Sequence, residues 1–461
     1  MKKARSSRRI NKIGTTTDTI TGRGGLALFS RYLEMIGIFD ILNSKFAFMR
    51  KSSKGLPVWI LFKQIFCFFF DGTSRHLTYF DQLKNDKGYA AAIETKPSQM
   101  ASSHMIKRFF KIFGWWFARL FRWVLRKLFI WRLKIMKPNE IVLYIDSMVM
   151  DNDDAQKRQG VQPTYKKKKG FHPLQIIWNG KIVDAIFRGG SKNGNFGNTV
   201  VNTVTDLVNL IRSEYSETVT IILRCDGGFF DEKNFANFDE LNIGFIASGK
   251  MYDPVKQQAG NAGDSCWNSY NIKEQTWSFL EFGFRCDKWK RFYRTFYTRC
   301  LYEGEQMLLD FARPDNVILT NIGINDKVLE NCTPQRRQYW LTPETIINSY
   351  HQCGADELAH RGLKDFGFEQ LPFKRFGQNS AFYYCMLISF FLFETFKEDV
   401  TAKVIPITSY ATSVRRKIVD IAAKIVEKSH TITLKLSQSA MQALKFDLLW
   451  ANCQNPPPIL A

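Results

Sequence analysis

Apolar residues recur at helical spacing over Leu26–Met35 and again over residues 57–70, where Pro57 suits a first-turn position. Between residues 105 and 135 a long apolar and aromatic run carries nine basic residues, from Lys107 to Lys134, and no acid. The pattern changes at Lys137-Pro138-Asn139. Residues 140–150 are apolar and β-branched, which predicts a buried strand holding Asp146. Residues 171–178 predict a second strand, Asn179-Gly180 a tight hairpin turn, and residues 182–187 a third strand. A helix over 200–211, a strand over 219–223 leading to Asp226, a helix over 232–241 and a strand over 243–247 follow. The order β-β-β-α-β-α-β predicts an α/β fold with a mixed sheet covered by helices. Residues 249–340 break the rhythm with Trp267, Trp277, Trp289, Trp340 and alternating runs that predict antiparallel strands. Helices over 350–365, 380–396 and 408–427, a strand over 431–436 and a helix over 439–450 complete the chain. The expected organisation is a basic helical segment at 1–139, a core in two parts at 140–248 and 346–400, a β-rich insertion at 249–345, and a helical region at 401–461.

Charge sharpens that division. The formal net charge is +22, and residues 1–139 hold 27 Lys and Arg against 7 Asp and Glu, so nearly all the excess sits in the first third. Such asymmetry favours a polyanionic partner, nucleic acid before an anionic membrane surface. The basic run at 105–135 is read first as a phosphate-neutralising module and second as core helices with snorkelling side chains. The nine cysteines form no Cys-x-x-Cys pair, which argues against a disulfide framework or a zinc site and fits a reducing cytoplasm. The basic N-terminus lacks the apolar segment of an export signal. Residues 56–70 and 382–396 are apolar but shorter than the roughly 20 residues a spanning helix needs, so buried helices are expected and no membrane association.

Candidate chemistry centres on residues 349–366. Tyr350, Cys353, Glu357 and Lys364 are spaced three, four and seven apart, which on one helix aligns them along a stripe. Asp146 on the first strand and Asp226 at the end of the fourth stand on strands that can be neighbours, with Gly227-Gly228 allowing close backbone approach. Three carboxylates without a Cys or His pair suit Mg²⁺ or Mn²⁺, and two such ions can activate a hydroxyl and stabilise a leaving oxygen at a phosphodiester. Each residue has a plainer reading: a satisfied strand aspartate, or a glutamate on a solvated helix face. The lysines Lys166, Lys167, Lys168 and Lys169 are either a solvated loop or phosphate contacts. The tryptophans of the insertion are read as core packing before base stacking. His172 and His360 are read as structural or supporting residues.

Together the stretches LYIDSMV around Asp146, KKGFHPL, LRCDGGFF around Asp226, and the helix with Tyr350, Glu357 and Lys364 resemble the DDE transposases of bacterial insertion sequences, in the branch with a Tyr-x2-Arg-x3-Glu-x6-Lys motif. The resemblance covers most of residues 140–400. It implies an RNase H-like, retroviral-integrase-like mixed sheet with a β-rich insertion domain and an all-α basic N-terminal domain. It implies Asp146, Asp226 and Glu357 as a catalytic triad holding two Mg²⁺ or Mn²⁺ ions, and Tyr350 and Lys364 as phosphate contacts. The implied partners are double-stranded DNA, both terminal inverted repeats and target, and a second copy of the chain in a synaptic complex. Hairpin-ended intermediates are associated with this branch, and a bacterial, nucleoid-associated protein is implied. The sequence departs from the motif at Cys353, where arginine is expected; a thiol cannot grip phosphate bidentately. Weakened activity is expected unless Arg361, one turn beyond Glu357, substitutes. Rival readings are a structure-specific nuclease on the same core and a catalytically decayed DNA-binding protein.

Overall fold

The computed structural model describes residues 10, 12–50, 55–272, 274–303, 306–307, 315–429 and 431–459. Its central feature is one large mixed sheet. In chain order its main strands are β1 (Glu140–Ser147), β2 (Leu174–Trp178), β3 (Lys181–Ile186), β4 (Thr220–Cys225), β5 (Gly244–Ser248), β6 (Asn268–Ile272), β7 (Gln275–Phe284), β8 (Tyr293–Glu303) and β9 (Asp315–Thr320). Their spatial order is β6-β7-β8-β9-β5-β4-β1-β2-β3. Strands β1, β4 and β5 are parallel, and β2 runs antiparallel to β1 and β3. β1, β4 and β5 are nearly continuous apolar runs because both faces are covered.

The β-rich stretch does not form a sheet of its own. β9 pairs antiparallel with β5, Leu319 opposite Ala247, so the insertion extends the core sheet. Without β9, the β5 edge would present unpaired N–H and C=O groups. Of the insertion tryptophans, Trp277 and Trp340 are buried, and Trp289 packs on Phe230 and Phe235.

The helices that position this sheet are α1 (Val58–Asp71), α2 (Ala118–Met136), α3 (Thr199–Glu214), α4 (Glu232–Glu240), α5 (Pro343–His351), α6 (Cys353–Phe366) and α7 (Phe376–Phe396). α7 is apolar on every side and accordingly buried along its length, packed against α1, α2 and β3. Both apolar stretches weighed as membrane spans are therefore core helices; among the described residues no helix is long and apolar enough to cross a membrane. The aromatic core runs without interruption from the N-terminal helices into the sheet.

Several boundaries differ from the sequence expectation for local reasons. The basic run at 105–135 is broken at Gly114, giving Ser103–Lys111 and α2. The strand expected over 171–178 starts only at Leu174, because Pro173 has no N–H to give the ladder. Residues Lys169–Phe171 instead join Met150–Asp151 and Gln162–Pro163 in a small sheet. The helix expected over 408–427 stops by Val419, and Ala423–Lys428 forms a hairpin with Thr431–Leu436, turning at Ser429 with φ 46°, and pairs with Thr19–Thr21. The final helix is two, Gln438–Ala443 and Phe446–Gln454.

Three arginines of α2 face inward. Arg122 and Arg126 each bring two nitrogens to the fully buried Asp184 of β3, at 2.7–2.9 Å, and Arg132 pairs with Glu398 and Asp399. Arg122 and Arg126 lock the helix to the sheet and Arg132 ties it to the turn after α7, so these three cations are not free for phosphate. Asp184→Asn would leave two guanidiniums facing a neutral amide. Urea unfolding should show a loss on the order of 3–5 kcal/mol; a loss under about 1 kcal/mol would mean the fork contributes nothing to docking α2.

Candidate active site

The parallel ladder of β1 and β4 sets the site. Tyr144 lies opposite Arg224 and Ile145 opposite Cys225, so Asp146 and Asp226, the next residues, leave adjacent strands at the same level. Neighbouring strands lie about 4.8 Å apart. Because side chains alternate, Ile145 and Cys225 go to one face, while Tyr144 and Asp146 share the other, as do Arg224 and Asp226. The result is a carboxylate pair above a tyrosine–arginine layer.

Asp226 caps the turn after β4, its Oδ1 accepting from the Gly228 N–H at 2.9 Å, and Asp146 accepts from the Ser147 N–H at 2.6 Å. Burial, then the charge of Asp226, then that of Glu357 push the Asp146 carboxyl up to about 7. Burial also raises Asp226, although its side chain reaches solvent, with Glu357 adding to the shift. All three sequence-predicted carboxylates thus share one electrostatic field. Glu357 itself is exposed on α6. Among the described residues no three of His, Cys, Asp and Glu stand close enough to form a ready-made metal site. The donor set is nevertheless all hard oxygen, and its mutual repulsion is what a divalent cation relieves.

The helix carrying Glu357 is broken where one continuous stripe was expected. Tyr350 lies in the last turn of α5, which ends at His351, and Cys353 begins α6, with Gln352 between the two helices. Arg224 causes the break: its Nη1 donates to the Ser349 carbonyl at 3.0 Å and to Gln352 Oε1 at 3.4 Å, and its Nη2 pairs with Asp356. A guanidinium inserted into the helical ladder is a recognised origin of such a kink. Tyr350 stays at the site, its hydroxyl 3.2 Å from Ser248 Oγ and its phenol raised by burial, with further contributions from Cys353 and Asp226. Burial pushes the Cys353 thiol up to about 12, against the opposing effect of Arg224, so it is a neutral packed thiol.

The remaining predicted contacts divide. Lys364 pairs with Glu369 at 2.9 Å. Arg361 lies 5.5 Å from the Tyr410 ring. Lys168 bridges Asp151 and Asp153, and Lys169 donates to Gln156. Lys167 occupies the turn with φ 59°, and Lys166, over the Tyr165 ring, is near enough to depress His360 and His172.

Three residues escaped the sequence reading or were undervalued there. His360, one turn past Glu357, has Nδ1 3.5 Å from Asp146 Oδ2, and burial depresses it to about 4, so the ring is neutral. Tyr144 lies beneath the carboxylates, its hydroxyl supporting Asp146. Arg224 anchors the Glu357 helix. Tyr144 and Arg224 each stand two residues before an aspartate, a strand-period signal that was there to read.

The sequence profile of the family described as Transposase DDE domain group 1 matches residues 3–457. No curated sequence matches the chain. Among solved structures, the cryo-EM synaptic complex of piggyBac transposase with hairpin DNA is similar over 86% of this chain and 80% of that chain, at 10% identity and a TM-score of 0.40.

Two outcomes test this geometry. Arg224→Met strands Asp356, whose carboxyl is already raised by burial. Denaturant unfolding should fall by roughly 3–5 kcal/mol, and a neutral result would remove Arg224 as the anchor. Asp146 is the opposite case: its folded pKa, about 7, lies above the usual 3.8, so it stabilises the fold less as pH rises between those values. In chelator, Asp146→Asn should melt higher than wild type at pH 8, by at most about 4 kcal/mol, with no such gain at pH 4. An equal difference at both pH values would contradict the shared field.

Proposed function

Because the chain belongs to the DDE transposases of domain group 1, we propose that it cuts DNA at the ends of a mobile element and joins the freed 3′-hydroxyl to target DNA, using Asp146, Asp226 and Glu357. The observation that carries this reading is the β1–β4 register, which leaves two aspartates side by side at the carboxyl ends of parallel strands. The order β3-β2-β1-β4-β5, with β2 alone antiparallel, supports an RNase H-like core.

Asp146, Asp226 and Glu357 would hold two Mg²⁺ or Mn²⁺ ions, with Glu357 moving toward the aspartates. Two divalent ions held by these carboxylates would supply activation of the attacking hydroxyl and charge stabilisation at the leaving oxygen. The chain's own residues prepare that step. Neutral His360 and the Tyr144 hydroxyl orient Asp146 without adding a competing cation. Arg224 fixes the start of α6, but, buried and paired with Asp356, it does not replace the phosphate grip that the motif gives to an arginine at position 353. Tyr350, Lys364, Arg361 and the Lys166–Lys169 turn are the proposed DNA contacts, Lys364 exchanging Glu369 for a phosphate. Two copies would hold two DNA ends together.

The test is a joining reaction: protein, Mg²⁺, DNA from the borders of its own gene, and a supercoiled target plasmid. Joined product is expected from wild type. Asp146→Ala, Asp226→Ala and Glu357→Ala should each reduce it to background while retaining DNA binding. Cleavage without joining would make the protein a nuclease, and unchanged product in the variants would refute the triad.

A further inference from the structure

A second basic feature lies away from the carboxylates. Three loops and a helix end enclose an open cavity of about 670 Å³, with Lys111, Trp115, Lys192 and Arg375 at its rim. Trp115 is 74% exposed and its neighbour Trp116 45%, which is unusual for the largest apolar side chain with a packed core close by. Among the described residues Lys111, Lys192 and Arg375 enter no ion pair. No acidic residue lines the cavity.

Its walls are built by close backbone approach. A Cβ at Gly190 would stand 2.2 Å from the Gln162 carbonyl oxygen, and one at Gly377 would stand 2.8 Å from that of Phe113. Gly160, at φ 93°, lies against the Phe376 ring. The loops are therefore held in place by glycine packing. The first turn of α7 opens at the cavity with the positive end of a 21-residue helix, its Phe376 N–H donating to Gln159 Oε1 at 3.2 Å.

One loop links the cavity to the candidate active site. The loop over residues 189–198 begins at the cavity with Gly189 and Lys192. It then reaches Gly228, whose carbonyl oxygen would be 3.1 Å from a Cβ at Gly194 and whose N–H holds Asp226. The loop is pinned by Arg188, whose Nη1 donates to the Gly194 carbonyl at 3.2 Å, and by the Lys192 carbonyl, 2.6 Å from His172 Nδ1. His172 and His360 both feel Lys166.

We propose that this cavity is a DNA-strand site, in which Lys111, Lys192 and Arg375 hold phosphates and Trp115 stacks on a nucleobase of the strand that passes the carboxylates. Cations tracking a backbone beside an exposed aromatic platform are the combination that single-stranded nucleic acid requires. The inference rests on the transposase reading above and adds where the strand goes.

The probe is a fluorescent duplex with a single-stranded 3′ extension of 5-iododeoxyuridine, used with the full-length protein. Irradiation should crosslink the extension to the peptide containing Trp115. Trp115→Ala should weaken binding by anisotropy roughly tenfold or more, and Trp115→Phe should restore most of it. The double variant Lys192→Gln, Arg375→Gln should lower the slope of log affinity against log salt by roughly 1.4–1.8. Crosslinks elsewhere, with affinity and slope unchanged in variants of a protein that still binds and joins DNA, would overturn the strand site and leave the transposase reading intact. A wild-type protein that neither binds nor cuts DNA with Mg²⁺ would overturn both.

Discussion

Everything at the candidate site hangs on the parallel pairing of β1 with β4. Because the period of a strand is two, a slip of one residue in that ladder would send Asp146 to the opposite face from Asp226. Packing holds the register: Ile145 and Cys225 are fully enclosed on one face and Tyr144 and Arg224 are buried on the other, so a slip would force each pair into space shaped for the other. Packing along the covered strands therefore decides carboxylate geometry at their ends. β5, β9 and the rest of the insertion protect that register by removing the edge next to β4.

The same ladder stores the strain that the site needs. Burial first, then the charges of Asp226 and Glu357, disfavours the ionised form of Asp146. The fold offsets this with groups that bring no competing charge to the carboxylates: neutral His360, the Tyr144 hydroxyl, and backbone N–H donors from Ser147 and Gly228. The buried cation Arg224 is aimed away at Asp356 and the α5–α6 junction. A cation sharing the three carboxylates is thus favoured over an internal salt bridge.

Much of the core was legible in the sequence because β-branched runs, the Asn-Gly turn and the helical stripes obey local rules. Leu26–Met35 and the strands flanking the turn follow directly from them. What was not legible depended on partners distant in sequence. Nothing local says that Arg224 will draw off the Ser349 carbonyl and split the helix at Gln352. Nothing local says that Arg122 and Arg126 face Asp184, so the basic run at 105–135 looked more available to phosphate than it is. The C-terminal hairpin was misread because Ala423–Lys428 reads as a continuation of a basic helix until its partners, Thr431–Leu436 and Thr19–Thr21, are in place. At the site, Asp146, Asp226 and Glu357 were identifiable by type and order and Tyr144 by its strand period, whereas His360 gains meaning only from contact.

Under the proposed reading, the two strand ends and α6 form a single divalent-metal site. Fe²⁺ with ascorbate and peroxide cuts a polypeptide next to the bound metal, which makes it a direct probe of that claim. With end DNA present, cuts are expected beside Asp146, Asp226 and Glu357, suppressed by excess Mg²⁺ or Mn²⁺. Cuts confined to other segments, or cuts at these three that Mg²⁺ does not suppress, would contradict it.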